Sequence, residues 1–459
     1  MKRIATLLAV LPLMPIAAAA WAADMPGSSD LIEKGRQVAV AADCAACHTA
    51  PEGRPFAGGY PLQTPLGTIY STNITPSVKN GIGAYDEAAF ARAVREGVKP
   101  DGTHLYPAMP YPAYSGITDA DLHALYVYFK SAVAPEDVSP PKTDLGFPFN
   151  IRASMILWNM LYLPYQRFAP TAEETPQIAR GRYLVDTLEH CGTCHTPRGL
   201  MMGPQSGKDL GGAQLGAWVA PNITPDLLSG IGTWSDEALA SYLKTGVAAH
   251  LAQAAGPMGE VVEHSTQYLP DADIQAMIAY LRHVPSVKGQ AVHPRSEYGA
   301  QGGDEASLRG LTSNVDLGWK TFSGVCATCH QVSGQGRNQY PALFHNTVTG
   351  ADSPDNLVAT ILFGVRRTVD GQTHYMPGFG DAAAWTDQLS DAQITAVANY
   401  VFKQYGNPSM HVSASDVAKE RNRGSLASSM QKFLSILGGV FALVVIVGLF
   451  ALLLRRKRA

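Results

Sequence analysis

Apolar residues recur at intervals of three and four in three separated stretches, each opened by a polar cap. Thr118-Asp119-Ala120-Asp121 leads into 122–133, Pro270-Asp271-Ala272-Asp273 into 274–284, and Ser390-Asp391-Ala392-Gln393 into 394–405. A cap residue followed by that period predicts a helix. Upstream of each lies a second, amphipathic segment built around a glycine: Gly35-Arg36-Gln37-Val38, Gly181-Arg182-Tyr183-Leu184 and Gly318-Trp319-Lys320-Thr321. The chain is therefore an internal repeat of three helical units. Tyr126, Tyr280 and Tyr400 fall near the ends of the closing helices. They are expected to pack against the opening segments near the glycines. Units one and two also share Thr72-Asn73-Ile74-Thr75-Pro76 and Pro221-Asn222-Ile223-Thr224-Pro225, which the third unit lacks.

Two stretches fall outside the repeat. Residues 285–315 are rich in Gly, Ser, Gln and charge and read as a flexible connector. Residues 139–176 contain an apolar run at 154–163 that is too short to span a membrane. It suits an interfacial position, a partner surface or plain packing between units.

The two ends differ from the rest. A basic start, an apolar core and Ala20-Trp21-Ala22 predict a signal peptide over 1–22. Residues 433–454 carry no charge and precede Arg455-Arg456-Lys457-Arg458. At 1.5 Å per residue they reach about 33 Å, which predicts a single C-terminal transmembrane helix with its basic end in the cytoplasm.

A length of 459 residues agrees with the three units. A net charge of −3 gives no field that points to nucleic acid.

The chemistry lies in the cysteines. All six fall in three copies of one motif: Cys44-Ala45-Ala46-Cys47-His48, Cys191-Gly192-Thr193-Cys194-His195 and Cys326-Ala327-Thr328-Cys329-His330. Cys-x-x-Cys-His is the attachment sequence of c-type haem. The cysteine pair forms thioether links and the histidine becomes an axial iron ligand. Three covalently bound haem c groups follow. Zinc would need a further ligand at each motif, and a thioredoxin-type motif would need a βαβ pattern that is absent. The histidine after each pair also argues against three disulfides.

Each unit offers a methionine in the loop before its last helix: Met109 beside Pro110, Met258 after Pro257, and Met376 before Pro377. They follow their histidines by 61, 63 and 46 residues. The equivalent placement predicts His48/Met109, His195/Met258 and His330/Met376 as axial pairs. Such pairs suit electron transfer, because the thioether raises the potential and blocks the iron. His104, His250, His264 and His374 are alternative ligands, but none recurs at equivalent offsets. No catalytic triad, phosphate loop or nucleotide fingerprint is present, so substrate chemistry is expected on another chain.

These motifs, with Leu105-Tyr106-Pro107-Ala108-Met109-Pro110-Tyr111 and His190-Cys191-Gly192-Thr193-Cys194-His195-Thr196-Pro197-Arg198, resemble the three-haem cytochrome c subunits of membrane-bound periplasmic dehydrogenases. Phe147-Pro148-Phe149-Asn150-Ile151-Arg152-Ala153-Ser154 and Glu263-His264-Ser265 are most similar to the branch serving flavin-dependent fructose or sorbitol dehydrogenases. Gluconate, quinoprotein alcohol and molybdenum aldehyde dehydrogenases have related subunits. The resemblance implies an all-α fold of three tandem cytochrome c-like domains, at 28–138, 177–284 and 316–407, followed by the anchor. It implies a location on the periplasmic side of the bacterial inner membrane. It also implies a relay from a catalytic dehydrogenase subunit, with flavin, quinoprotein or molybdenum chemistry, to ubiquinone. The alternative reading is an independent anchored carrier between a quinol-oxidising complex and a terminal oxidase. A haem enzyme such as a peroxidase would instead need an open iron position.

Overall fold

The structure, a computed structural model, describes residues 28–302 and 316–423 apart from 65, 148 and 200. In each unit an opening helix crosses a closing helix. The pairs are Ser28–Ala41 with Asp119–Ser131, Pro176–Arg182 with Asp271–His283, and Leu317–Thr321 with Asp391–Tyr405. Two of the three caps bond through their side chains, whereas Pro270 at the second closing helix makes no such bond. Thr118 Oγ1 accepts the Asp121 amide, and Ser390 forms a capping box with Gln393.

The glycines set how closely the helices cross. A Cβ would lie 2.0 Å from the Ala124 carbonyl oxygen at Gly35, 1.9 Å from that of Ala276 at Gly181, and 2.5 Å from that of Ala396 at Gly318. Tyr280 and Tyr400 pack beside their glycines as expected. In the first unit the equivalent residue is Tyr128, whose Cβ lies 2.6 Å from the site of a Gly35 Cβ. Tyr126 instead packs on Phe90 and donates to the Tyr85 carbonyl. The helix turns its two tyrosines to different faces, so the correct tyrosine lies two residues on.

The first two units share one apolar core, in which Val38, Leu125 and Phe129 join Leu184, Ile274 and Met277. The third has its own, around Phe322, Ile394 and Val401. It is joined to the second by a small apolar cluster of Ala254, Val262 and Val369 and by polar contacts. Asn356 accepts from the Val219 amide at 2.8 Å and donates to the Val219 carbonyl at 2.9 Å, and the Thr347 amide donates to Leu251.

The all-α expectation is corrected. The described residues include four small antiparallel sheets, the first of three strands and the others of two. The clearest is a hairpin, Val365–Val369 with Gln372–Met376. Its Asp370-Gly371 turn has both φ angles positive, 49° and 75°, the turn that best matches strand twist. A turn dipeptide between β-branched residues favours pairing over helix.

The expected C-terminal transmembrane helix is also corrected. Among the described residues no helix is long and apolar enough to cross a membrane. Residues 433–454 lie outside the described residues, as do the expected signal peptide and 303–315. The anchored inner-membrane location that rested on that helix therefore has no support in the structure.

The run at 154–163 forms a helix, Ser154–Tyr162, beside the first unit. Trp158 and Asn159 face inward, and Tyr111 donates to Asn159 Oδ1 at 2.7 Å. Trp158 Nε1 donates to the Met201 carbonyl in the second unit. Ile156, Leu157, Met160 and Leu161 face outward and are exposed.

Candidate haem sites

Each motif sits on a short helix: Cys44–His48, Gly192–His195 and Ala327–His330. The chain turns sharply at each. Asp43 and His190, immediately before the first cysteine, have φ of 48° and 40°, and Gln331, immediately after the third histidine, has φ of 61°. Such left-handed non-glycine residues cluster at functional sites. In units two and three the approach is a π-helical turn, Tyr183–Leu188 and Phe322–Cys326, another feature frequent at such sites.

The three histidines are oriented alike. Nδ1 of His48 lies 2.6 Å from the Thr72 carbonyl, Nδ1 of His195 lies 2.7 Å from that of Pro221, and Nδ1 of His330 lies 3.0 Å from that of Pro341. A carbonyl only accepts, so Nδ1 carries the proton and Nε2 is left with a free lone pair. Burial lowers the pKa of all three rings, favouring the neutral form that an iron ligand requires. The residues present fit the proximal side of a c-type haem.

The shared Asn-Ile-Thr-Pro segments supply two of those carbonyls. Asn73 Oδ1 accepts from the Thr75 amide and hydroxyl, while its Nδ2 donates to the Glu136 and Val138 carbonyls. Asn222 repeats this with Thr224 and the Val287 carbonyl. Each asparagine ties the carbonyl-bearing segment to the chain beyond the closing helix. In the third unit a different segment, through Pro341, does the same work.

The three methionines stand on different local structures. Met109 lies in a turn before Tyr111–Tyr114, Met258 lies in the first turn of the helix Gly256–His264, and Met376 ends a strand. Only the first matches the loop placement expected. Met258 and His195 line one apolar cavity of about 330 Å³, and Met376 and His330 line the same cavity. Cys191, Cys194 and Cys329 also line it. The second and third haem sites are therefore one continuous space. Met109 packs against the core cluster that Cys44 also contacts. Of the alternative histidines, His374 lines the shared cavity.

The first site adjoins the second. Cys47 and Cys194 lie near enough for one thiol's charge to affect the other. The Met258 helix packs on the Cys44–His48 helix, and Tyr60 donates to Glu260 Oε1 at 3.1 Å across the joint. The Tyr114 ring meets His190 edge-on at 5.4 Å. At this joint Glu189 is buried and accepts from Ser265 Oγ at 2.8 Å, and burial pushes its carboxyl up to about 8.

Burial pushes the thiols of Cys44, Cys47 and Cys326 up to about 12. A buried neutral thiol is a poor metal ligand, and among the described residues no cluster of His, Cys, Asp and Glu could hold an ion. No two of the cysteines are joined to each other among the described residues.

Two arginines escaped sequence reasoning. Arg367 is fully buried, where Nη1 donates to the Ala254 carbonyl while Nε and Nη2 have no partner among the described residues. Arg295 comes from the stretch read as a connector and lines the shared cavity. A lone arginine in a polar segment carries no periodic or motif signal.

The cytochrome c family profile matches residues 32–132, 178–285 and 315–404. The chain is 45% identical over 455 residues to the fructose dehydrogenase cytochrome subunit of Gluconobacter japonicus, covering 93% of this chain and 91% of that one. It is 37% identical over 420 residues to the gluconate 2-dehydrogenase cytochrome c subunit of Pantoea cypripedii, covering 87% and 91%. It is 38% identical over 428 residues to the alcohol dehydrogenase (quinone) cytochrome c subunit of Komagataeibacter europaeus, covering 90% and 89%. The chain belongs to the cytochrome c family, with three covalently bound haem c groups. Its place within the family is among the electron-transfer subunits of dehydrogenases.

Proposed function

We propose that this chain takes electrons from a flavin-containing catalytic subunit that oxidises a sugar, polyol or sugar acid, and delivers them to ubiquinone. The haems supply one-electron carriers at three sites, with His48/Met109, His195/Met258 and His330/Met376 as the axial pairs. The observation that carries the reading is continuity. The second and third sites share one cavity, and the first adjoins the second where the Met258 helix packs on the Cys44–His48 helix. The chain's own work is to hold the three imidazoles neutral and aimed, to exclude water with apolar walls, and to keep the sites in contact. The likeness to a fructose dehydrogenase subunit supports the choice of substrate class.

The test is copurification of the tagged, haem-loaded chain from its source, followed by addition of fructose, sorbitol, gluconate, ethanol or acetaldehyde. Reduction of the haem absorption bands by a sugar, polyol or sugar acid, with a flavin protein present, is expected. A partner carrying pyrroloquinoline quinone or molybdenum would move the chain to another branch. A chain that purifies alone and is reduced by none of them refutes the subunit reading.

A further inference from the structure

Arg295 makes no hydrogen bond or salt bridge with any described residue, yet it lines the cavity shared by the second and third haem sites. It belongs to the short turn Arg295–Glu297, and its own carbonyl fixes it against the third unit, since a Cβ at Gly350 would lie 1.9 Å from that oxygen. Burial lowers the pKa of its guanidinium, and the charges of Asp352 and Tyr242 only partly offset that. Its charge acts on Tyr242, a residue of the second unit that lines the same cavity. A guanidinium therefore stands in an apolar cavity, beside the second iron site, with its donors unused.

Burying an unpaired charge is costly, and a planar fork of N–H donors matches a carboxylate. Once the thioether links have formed, the anionic groups that a c-type haem brings into such a cavity are its propionates. We propose that Arg295 is a haem-binding residue that clamps a propionate of the second haem. The segment linking units two and three thereby contributes to the cofactor site of unit two. Arg367 cannot serve in its place, because it is fully buried and does not line the cavity. The inference rests on covalent haem at the second and third sites and not on which dehydrogenase is served, so its test needs no substrate.

The experiment compares Arg295→Gln and Arg295→Lys in the full chain. Haem content is measured first, so that failure of haem attachment is seen separately. Potentials are then read by spectroscopic redox titration, and propionate bending modes by resonance Raman. Removing a cation favours the oxidised iron. In Arg295→Gln one of three potentials should fall by at least about tenfold in the oxidised-to-reduced ratio, about 59 mV for a one-electron couple, with a changed propionate mode. Arg295→Lys should recover most of that potential. Combining Arg295→Gln with Met258→Ala or Met376→Ala assigns the shifted potential to the second or third haem. A shift in the second supports the clamp as drawn, whereas a shift confined to the third moves the propionate to the neighbouring haem and overturns the assignment. Unchanged potentials and propionate modes at full haem content overturn the clamp. An equal fall in the Lys and Gln variants overturns it too, since that marks a packing role. If Arg295→Gln fails to load haem, the Raman spectrum of Arg295→Lys decides, and an unaltered propionate mode there counts against the proposal.

Discussion

At the scale of single residues, the three sites differ in what can replace the distal ligand. Met376 ends a strand whose neighbour His374 also lines the cavity, so the third site holds a possible substitute donor. Met376→Ala is expected to lower one haem potential, and Met376→Ala with His374→Ala to open one iron to carbon monoxide; no change in either measurement removes Met376 from the axial pair. Glu189 gives a second prediction. Burial raises its carboxyl to about 8 in the folded chain, against about 4.3 for an exposed glutamate. The folded state therefore binds the proton more tightly than the unfolded state. Its contribution to stability is fully present below the unfolded value and is lost as pH rises through about 8, with a slope of at most about 1.4 kcal/mol per pH unit. Thermal melts of the haem-loaded chain should fall between pH 5 and 9, and Glu189→Gln should flatten that slope. A slope left intact by the substitution would mean that another group carries it.

At the scale of elements, helix existence was legible and helix register was not. The capped periodic stretches became Asp119–Ser131, Asp271–His283 and Asp391–Tyr405 because cap chemistry and apolar spacing act locally. The glycines were legible as packing points, but choosing Tyr126 over Tyr128 required the helix face, which depends on the partner. The hairpin bearing Met376 was missed, although its Asp370-Gly371 turn is a local signal. Attention to the ligand alone placed Met376 in a loop. The haem motifs read directly because covalent attachment fixes spacing. The carbonyls of Thr72, Pro221 and Pro341 carry no side-chain signature, so the histidine orientation needed coordinates. The crossing in the third unit can be tested at Gly318. A Cβ there would meet the Ala396 carbonyl at 2.5 Å and Tyr400 Cβ at 2.8 Å. Gly318→Ala should destabilise the third unit by about 1–3 kcal/mol despite the better helix propensity of alanine. Denaturant unfolding followed by the haem bands would show it, and an unchanged midpoint would mean that the helices can separate freely.

At the scale of the whole molecule, the second unit is the hub. It shares an apolar core with the first and a cavity with the third, whereas the core of the third unit is separate. The helix Gly256–His264 concentrates these roles. It carries Met258, packs on the Cys44–His48 helix, and lies against the Met376 hairpin. Among the described residues no element pair joins the first and third units as closely as these, so the proposed route between the outer sites runs through the second. With His195/Met258 as the proposed axial pair, Met258→Ala should remove the thioether at that middle site and lower its potential. Electron entry into it from either neighbour then becomes less favourable. Rapid-mixing reduction of the haem-loaded complex should split into two phases, one outer haem reduced at the original rate and the other slowed about tenfold or more. Met109→Ala or Met376→Ala, each at one end of the sequence of sites, should leave the transfer between the remaining two haems unslowed. If Met258→Ala leaves a single reduction phase, the outer sites exchange electrons without the second, and the serial order through the hub is wrong.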